Sequence, residues 1–361
     1  MAVEKIWKIR EVADKENVRQ LASELGVDPV LAELLVQRGV HTFEQARSFF
    51  RPSLENLPDP FLMKDMDKAV ERVHEAVSSG EKILVYGDYD VDGVTSVTML
   101  YLYLKSLGAC VDYYIPLRAK EGYGVSSSAI DTIYKTGTKL IITVDTGITA
   151  SEEVEYARSL GIDTVVTDHH ECHAELPDAC AVVNPHRPDC DYPFCELAGV
   201  GVVFKLLCAY EMTLCAEQGE AMLEGARRVC SQYADLVALG TIADVMPIID
   251  ENRVIVSYGL HMIANTKRLG LSALIDAALP STRMRGGMPI PLTAQERVEQ
   301  RRMRVNSGFI GFGIAPRINA AGRISSASKA VELLLADTEQ QAERLAQELC
   351  EINTRRQIEE N

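Results

Sequence analysis

Residues 85–93 read "VYGDYDVDG", a run in which a short apolar segment closes on Asp88, Asp90 and Asp92, spaced two apart. Alternating carboxylates on one extended segment repel each other, so an ordinary strand has no use for them, and a cation held between them accounts for the spacing. The sequence around this run sets the fold. From Glu81 onward short apolar runs alternate with amphipathic ones: "KILVYGD", "TSVTMLYLYLKSLG", "VDYYIP", "SSAIDTIYKTG", "KLIITVDTG", "SEEVEYARSLG", "DTVVTDHH" and "CAVVNP". Strand, helix and strand repeated over short loops predict an α/β fold, a mostly parallel sheet sandwiched by helices. Ligands of such sheets collect outside the carboxyl ends of the strands.

Three strand ends carry ligand chemistry. Asp88, Asp90 and Asp92 follow the first strand, Asp145 ends "LIITVD", and Asp168, His169 and His170 end "TVVTDHH". One aspartate closing a strand is often no more than a helix cap; three such endings at one sheet edge, with a histidine pair, point to metal. Carboxylates with imidazole and no thiolate suit Mn²⁺ or Mg²⁺ better than structural zinc. Five or more carboxylates facing one point call for two ions, which can hold a bridging hydroxide and clamp a phosphate for in-line displacement. A fourth segment, "YADLVALGTIADVMPI", is an apolar helical run broken by Asp244, the form an inward-reaching ligand takes.

The bulk numbers fit a folded enzyme. The chain has 361 residues, 47% of them hydrophobic, enough for a large core. A formal charge of −15 argues against a general basic surface for duplex DNA while leaving local phosphate contacts open. Apolar stretches such as Leu140 to Val144 are far shorter than a membrane span, and the charged N-terminus does not read as a signal peptide, so no membrane partner and a cytoplasmic location are expected. The nine scattered cysteines read as reduced thiols, including those after "DHHECH", whose spacing does not pair them as zinc ligands. Residues 1–80 read as a helical region, 81–324 as the catalytic domain and 325–361 as a connecting helix, with Thr338 and Gln341 as its capping box. "GVGVVFKLL" reads as the tightly packed start of a helix, and "RMRGGMPIPLTAQERVEQRRMR" as a solvated, mobile insertion.

"GDYDVDG", "VDTG", "TDHH" and "GTIADVMP", in this order, resemble the four motifs of the DHH phosphoesterase superfamily. "RGVHTFEQARSFF", "LPDPFLMKDMDKAV", "EGYGVS", "NPHRPDCDYPFCELAGVGVVFKL" and "GFGIAPRINAAGRI" are similar to its single-strand-specific exonuclease branch, from Leu31 to the last residue. The resemblance implies metal ligands at Asp90, Asp92, Asp145, His169 and Asp244, joined by Asp88, with Asp145 bridging two divalent ions, Mn²⁺ before Mg²⁺. It implies His170 at the scissile phosphate. Members acting on small nucleotides resemble "HxxxDxD" in the first motif, and Tyr86 stands where that histidine would be.

"IPLRAKEGYGVSS" puts Arg118 and Tyr123 on the loop after the second strand, at the metal edge of the sheet. A guanidinium fork binds phosphate, here by resemblance the 5′ end, and a tyrosine face stacks on a base without reading it. "IAPRINAAGRISS" resembles the element that covers the cleft, which implies backbone contacts by Arg317, Asn319 and Arg323. The expected reaction is 5′ to 3′ hydrolysis of single-stranded DNA to mononucleotides in repair and recombination, with a helicase and a single-strand-binding protein as partners. A small-substrate phosphodiesterase and a non-catalytic scaffold are the alternatives. The resemblance also implies that the last helix leads into a second domain, with a glycine–histidine motif, that is absent from this sequence.

Overall fold

The computed structural model describes residues 8, 14–285 and 288–360. The chain divides into two compact units, Met1–Asn56 and Leu57–Asn361. In the first, α1 (Lys15–Leu25), α2 (Pro29–Val36) and α3 (Phe43–Phe50) enclose a small core that includes Leu21, Ala32 and Ala46. The helix starts follow their sequence signals. Asp28 accepts from the Val30 N–H ahead of Pro29, and Thr42 with Gln45 forms a reciprocal capping box.

In the second unit α4 (Met66–Ser78) is followed by a largely alternating run of strands and helices. β1 (Lys82–Gly87), α5 (Val91–Ser106), β2 (Cys110–Tyr114), the short α6 (Arg118–Glu121), α7 (Ser127–Tyr134), β3 (Leu140–Val144), α8 (Ser151–Ser159), β4 (Asp163–Thr167) and β5 (Ala181–Val183) follow in order. The five strands form one parallel sheet in the order β2-β1-β3-β4-β5. Leu140–Val144 is buried at every residue, as a strand covered on both faces must be. α7 and α8 pack Ile130, Ile133 and Ala157 against Leu84, Tyr86 and Ile141 on one face. Because β1 sits between β2 and β3, the chain reverses direction across the sheet there, and a crevice opens at the carboxyl ends of β1 and β3.

The remaining helices are α9 (Gly199–Glu217), α10 (Met222–Ala243), α11 (Asp250–Ala264) and α12 (Leu269–Ala278); the hairpin β6 (Thr282–Arg285) and β7 (Met288–Pro291) follows. Then come α13 (Ala294–Arg304), α14 (Ser307–Phe309), a π-helical turn Ile310–Ile314, α15 (Ala315–Ile324), α16 (Ser328–Leu334) and α17 (Glu339–Glu359). α9 starts at the glycines read as a tight helix start, and it is buried without interruption from Gly199 to Tyr210. By length and composition it could cross a membrane, which corrects the expectation that no apolar stretch is that long; 78% of its apolar window is buried inside the fold, so it is a core helix.

One expected boundary falls elsewhere. α4 packs on β5 and α9, so the division falls at Asn56 and Leu57 rather than at residue 80. In the segment expected as a connecting helix, α17 buries Ala342, Leu345, Leu349 and Ile352 and packs on α12, α15 and α16. The expected mobile insertion forms β6, β7 and α13, with Gly286 and Gly287 outside the described residues.

A buried ion pair fixes α9 to α11. Lys205 Nζ donates to Glu251 Oε1 at 2.7 Å and to the Pro58 carbonyl at 2.6 Å, while the Tyr192 hydroxyl donates to Glu251 Oε2 at 2.5 Å. Removing one partner strands a charge in the core. Lys205→Met is expected to cost about 3–5 kcal/mol, and adding Glu251→Leu to recover most of it, both read from urea midpoints at unchanged slope.

Candidate metal centre

Strand register brings the candidate ligands together. Gly87 lies opposite Val144, and Val144 opposite Thr167, so the next residues of β1, β3 and β4, Asp88, Asp145 and Asp168, leave the sheet side by side. Asp90 caps α5, accepting from the Gly93 N–H at 3.0 Å. Asp92 lies in the first turn of that helix and reaches the start of α9, where the N–H groups of Gly199 and Val200 donate to its two oxygens at 2.7 and 2.9 Å. Asp145 adopts a left-handed backbone, φ 57°, which aspartate tolerates better than most residues. Gly199 makes room for it, since a Cβ there would lie 2.6 Å from Asp145 Oδ1.

His169 Nε2 is the centre of the cluster, 3.1 Å from Asp145 Oδ1 and 3.7 Å from both Asp92 Oδ2 and Asp244 Oδ2. Among the described residues, three overlapping groups have ligand atoms within 4.8 Å of one another: Asp88, Asp90 and Asp145; Asp92, His169 and Asp244; and Asp145, His169 and His170. Asp145 is thus shared between a group built on the first motif and groups built on the histidines.

The electrostatics favour a cation at this cluster. Burial and the charge of Asp90 push Asp88 up to about 7, and burial with Asp90 pushes Asp244 up to about 6. Burial, then neighbouring carboxylates, hold Asp92 and Asp145 well above the usual carboxylate range. Asp88 Oδ1 and Asp145 Oδ1 are buried without a hydrogen-bond partner, a state that a bound cation relieves. Burial, then the neighbouring His170, pulls His169 down to about 4, so its ring is neutral and its nitrogen free to ligate. The donor set of carboxylates and one neutral imidazole, with two orphaned oxygens, fits divalent Mn²⁺ or Mg²⁺.

His170 does a different job. Its Nδ1 lies 2.7 Å from Asp168 Oδ1, and that hydrogen bond raises its pKa. Asp168, grouped by the sequence with the strand-end ligands, belongs to none of the three ligand groups. Burial pushes its pKa up, but hydrogen bonding and charge from His170, with the Ile148 and His170 N–H groups, outweigh that and lower it. Asn184, buried after β5, holds the His170 carbonyl at 2.9 Å. The sequence reading missed both positioning roles, although "TDHH" and "NPHRPD" contain the residues.

Beside the ligands lies a cleft of about 290 Å³ lined by Asp88, Tyr89, Asp90, Arg118, Tyr123, His170, Asn319 and Arg323. The Arg118 guanidinium sits over the Tyr89 ring at 5.2 Å, and the Tyr123 hydroxyl is 3.3 Å from His170 Nε2. Asn319 Oδ1 accepts from the Val91 N–H at 3.1 Å, tying α15 to α5. Of the expected contacts, Arg118, Tyr123, Asn319 and Arg323 are brought together and Arg317 is not: it bonds Cys350 Sγ on α17 at 3.3 Å and the Gly313 carbonyl. Tyr89, absent from the expected set, sits between two of its aspartates. Tyr86 is fully buried and its hydroxyl donates to the Gly124 carbonyl at 3.0 Å, bracing the loop that carries Tyr123.

These shifts fix a pH dependence. A carboxyl raised on folding takes up a proton, so the stability Asp88 contributes is full below its unfolded value of 3.8 and is lost as pH rises through about 7. Metal-free protein is therefore expected to lose melting temperature from this group between pH 5 and 7.5, and Mn²⁺ to raise the melting temperature more at pH 7.5 than at pH 5, checked by thermal scans with and without the ion.

The description "DHH family, N-terminal domain" matches residues 82–241. The single-stranded-DNA-specific exonuclease RecJ of Bacillus subtilis is 44% identical over 351 residues, covering 97% of this chain and 40% of that protein. The crystal structure of RecJ in complex with Mn²⁺ from Thermus thermophilus aligns with a TM-score of 0.73 at 31% identity, over 95% of this chain and 44% of that one. A crystal structure of exonuclease RecJ bound to manganese aligns at 0.68 with 34% identity, over 84% of this chain and 68% of that one. This chain therefore spans well under two thirds of the full Bacillus subtilis relative. With the DHH motifs, the register of their aspartates and this likeness along nearly its whole length, the chain belongs to the RecJ family of DHH proteins.

Proposed function

We propose that this chain is the metal-dependent core of a single-stranded-DNA-specific exonuclease that removes mononucleotides from the 5′ end. The observation that carries the reading is the juxtaposition of the shared ligand Asp145 with a cleft that presents Arg118, His170 and Arg323 to a phosphate. Two divalent ions, Mn²⁺ before Mg²⁺, would be held by Asp88, Asp90, Asp92, Asp145, His169 and Asp244. When bound they supply Lewis-acid polarisation of the phosphate and an activated water.

The side chains do the rest. Arg118, braced on Tyr89, takes the terminal phosphate with its planar fork, and Tyr123 offers a face for the end base. His170, whose pKa is raised by its hydrogen bond to Asp168, donates to the scissile phosphate as negative charge develops there. Asn319 and Arg323 of α15 close the cleft over the sugar-phosphate backbone. A helicase and a single-strand-binding protein would supply the strand. The unpaired state of all nine cysteines accords with work in the cytoplasm.

A second reading, a phosphodiesterase of short oligonucleotides or cyclic dinucleotides, is favoured by the small volume of the cleft. A scaffold role has no support from residues, since every motif acid is present. A 5′-phosphorylated, 3′-labelled single strand in Mn²⁺, run beside its duplex and a dinucleotide, decides between the two enzymes: stepwise shortening of the single strand with the duplex spared is expected, and cleavage of the dinucleotide alone would select the second reading. Asp145→Asn is expected to lower turnover by about a thousandfold or more with an unchanged circular dichroism spectrum; near wild-type rates would overturn the shared-ligand assignment.

A further inference from the structure

We propose that Val245 is a substrate contact, an apolar surface on which a nucleotide of the strand packs beside the metal centre; the proposal rests on the exonuclease reading. Val245 follows the ligand Asp244 at the end of α10. The helix closes there in a Schellman turn, with the Val245 N–H donating to the Ile242 carbonyl and the Met246 N–H to the Thr241 carbonyl, each at 3.2 Å. Such a turn requires a left-handed residue at the position Val245 fills, and its φ is 62°. Glycine is the usual occupant, and a β-branched residue is among the poorest, because its side chain crowds the backbone.

Nothing within the fold compensates for that strain. The Val245 side chain is 85% exposed, so it gains no packing in exchange. Strained backbone of this kind gathers at functional sites, where the side chain is needed for something other than stability.

The neighbouring ligands say what covers it. Asp244 groups with Asp92 and His169, and none of these three lines the cleft, which is bordered instead by Asp88, Asp90 and His170. A strand whose terminal nucleotide fills the cleft has to continue past the rest of the ligand cluster, and Val245 is the side chain next to Asp244. An apolar contact without hydrogen bonds accepts any base or sugar, as an enzyme indifferent to sequence requires.

The test separates stability from binding. Val245→Gly removes the strain and the contact together; it is expected to raise the melting temperature by about 2 °C and to weaken binding of a short oligothymidylate by about fivefold, read by fluorescence anisotropy with Ca²⁺ in place of Mn²⁺. Val245→Ile, which keeps an apolar branched side chain, is expected to retain the affinity. A glycine variant that binds as tightly as wild type, or one that melts lower, overturns the proposal, as does a wild-type chain that binds no oligothymidylate. Loss of affinity on Val245→Gly in a protein that never shortens the strand would sink the exonuclease reading and leave the contact standing.

Discussion

The repulsion among Asp88, Asp90, Asp92, Asp145 and Asp244 is the force that the rest of the second unit has to contain. Two carboxylates at the separations found here oppose each other by on the order of 3–4 kcal/mol in a medium of effective dielectric about 20. A few such pairs rival the whole stability of a domain. The fold answers with oriented backbone. The start of α5 offers an N–H to Asp90, and the start of α9 offers two to Asp92, each helix adding the positive end of its dipole. What these donors leave uncompensated is the need for divalent cations, expressed as raised carboxyl pKa values and two orphaned oxygens.

Around this charge cluster successive hydrogen bonds fix the phosphate-facing histidine. His170 is held by Asp168 through its ring and by Asn184 through its carbonyl. The loop carrying Asn184 is in turn fixed by Arg187, which donates to the Val182 carbonyl and to Asp65, each at 2.6 Å. Asp65 itself sits in the left-handed region, φ 61°, at the start of α4. Through these bonds α4 is tied to the loop that positions His170.

The fold between residues 81 and 183 was legible because parallel strands buried on both faces leave continuous apolar runs that loops cannot imitate. The gathering of these acids and histidines at one place was legible because register puts the residue after each strand at one edge. The division at Asn56 was not, since α4 has the same amphipathic pattern whichever partner it packs against. Arg317 was misplaced for a similar reason: Asn319 and Arg323 are four apart and share a face of α15, whereas Arg317 lies two residues earlier and points across the helix toward α17. Asp168 and Tyr89 stood inside quoted motifs, but a motif does not tell which way a carboxylate turns, or that a ring will carry an arginine.

The bond between Asp92 and the start of α9 spans 107 residues of chain. Its acceptor is made early in synthesis and its donors late. A nascent chain that has folded only its first two strands holds a loose string of acids, with Asp145, His169 and the α9 amides still to come. The candidate centre is therefore a product of assembly: its acids and histidines come within reach of one another only once segments distant in the chain have docked.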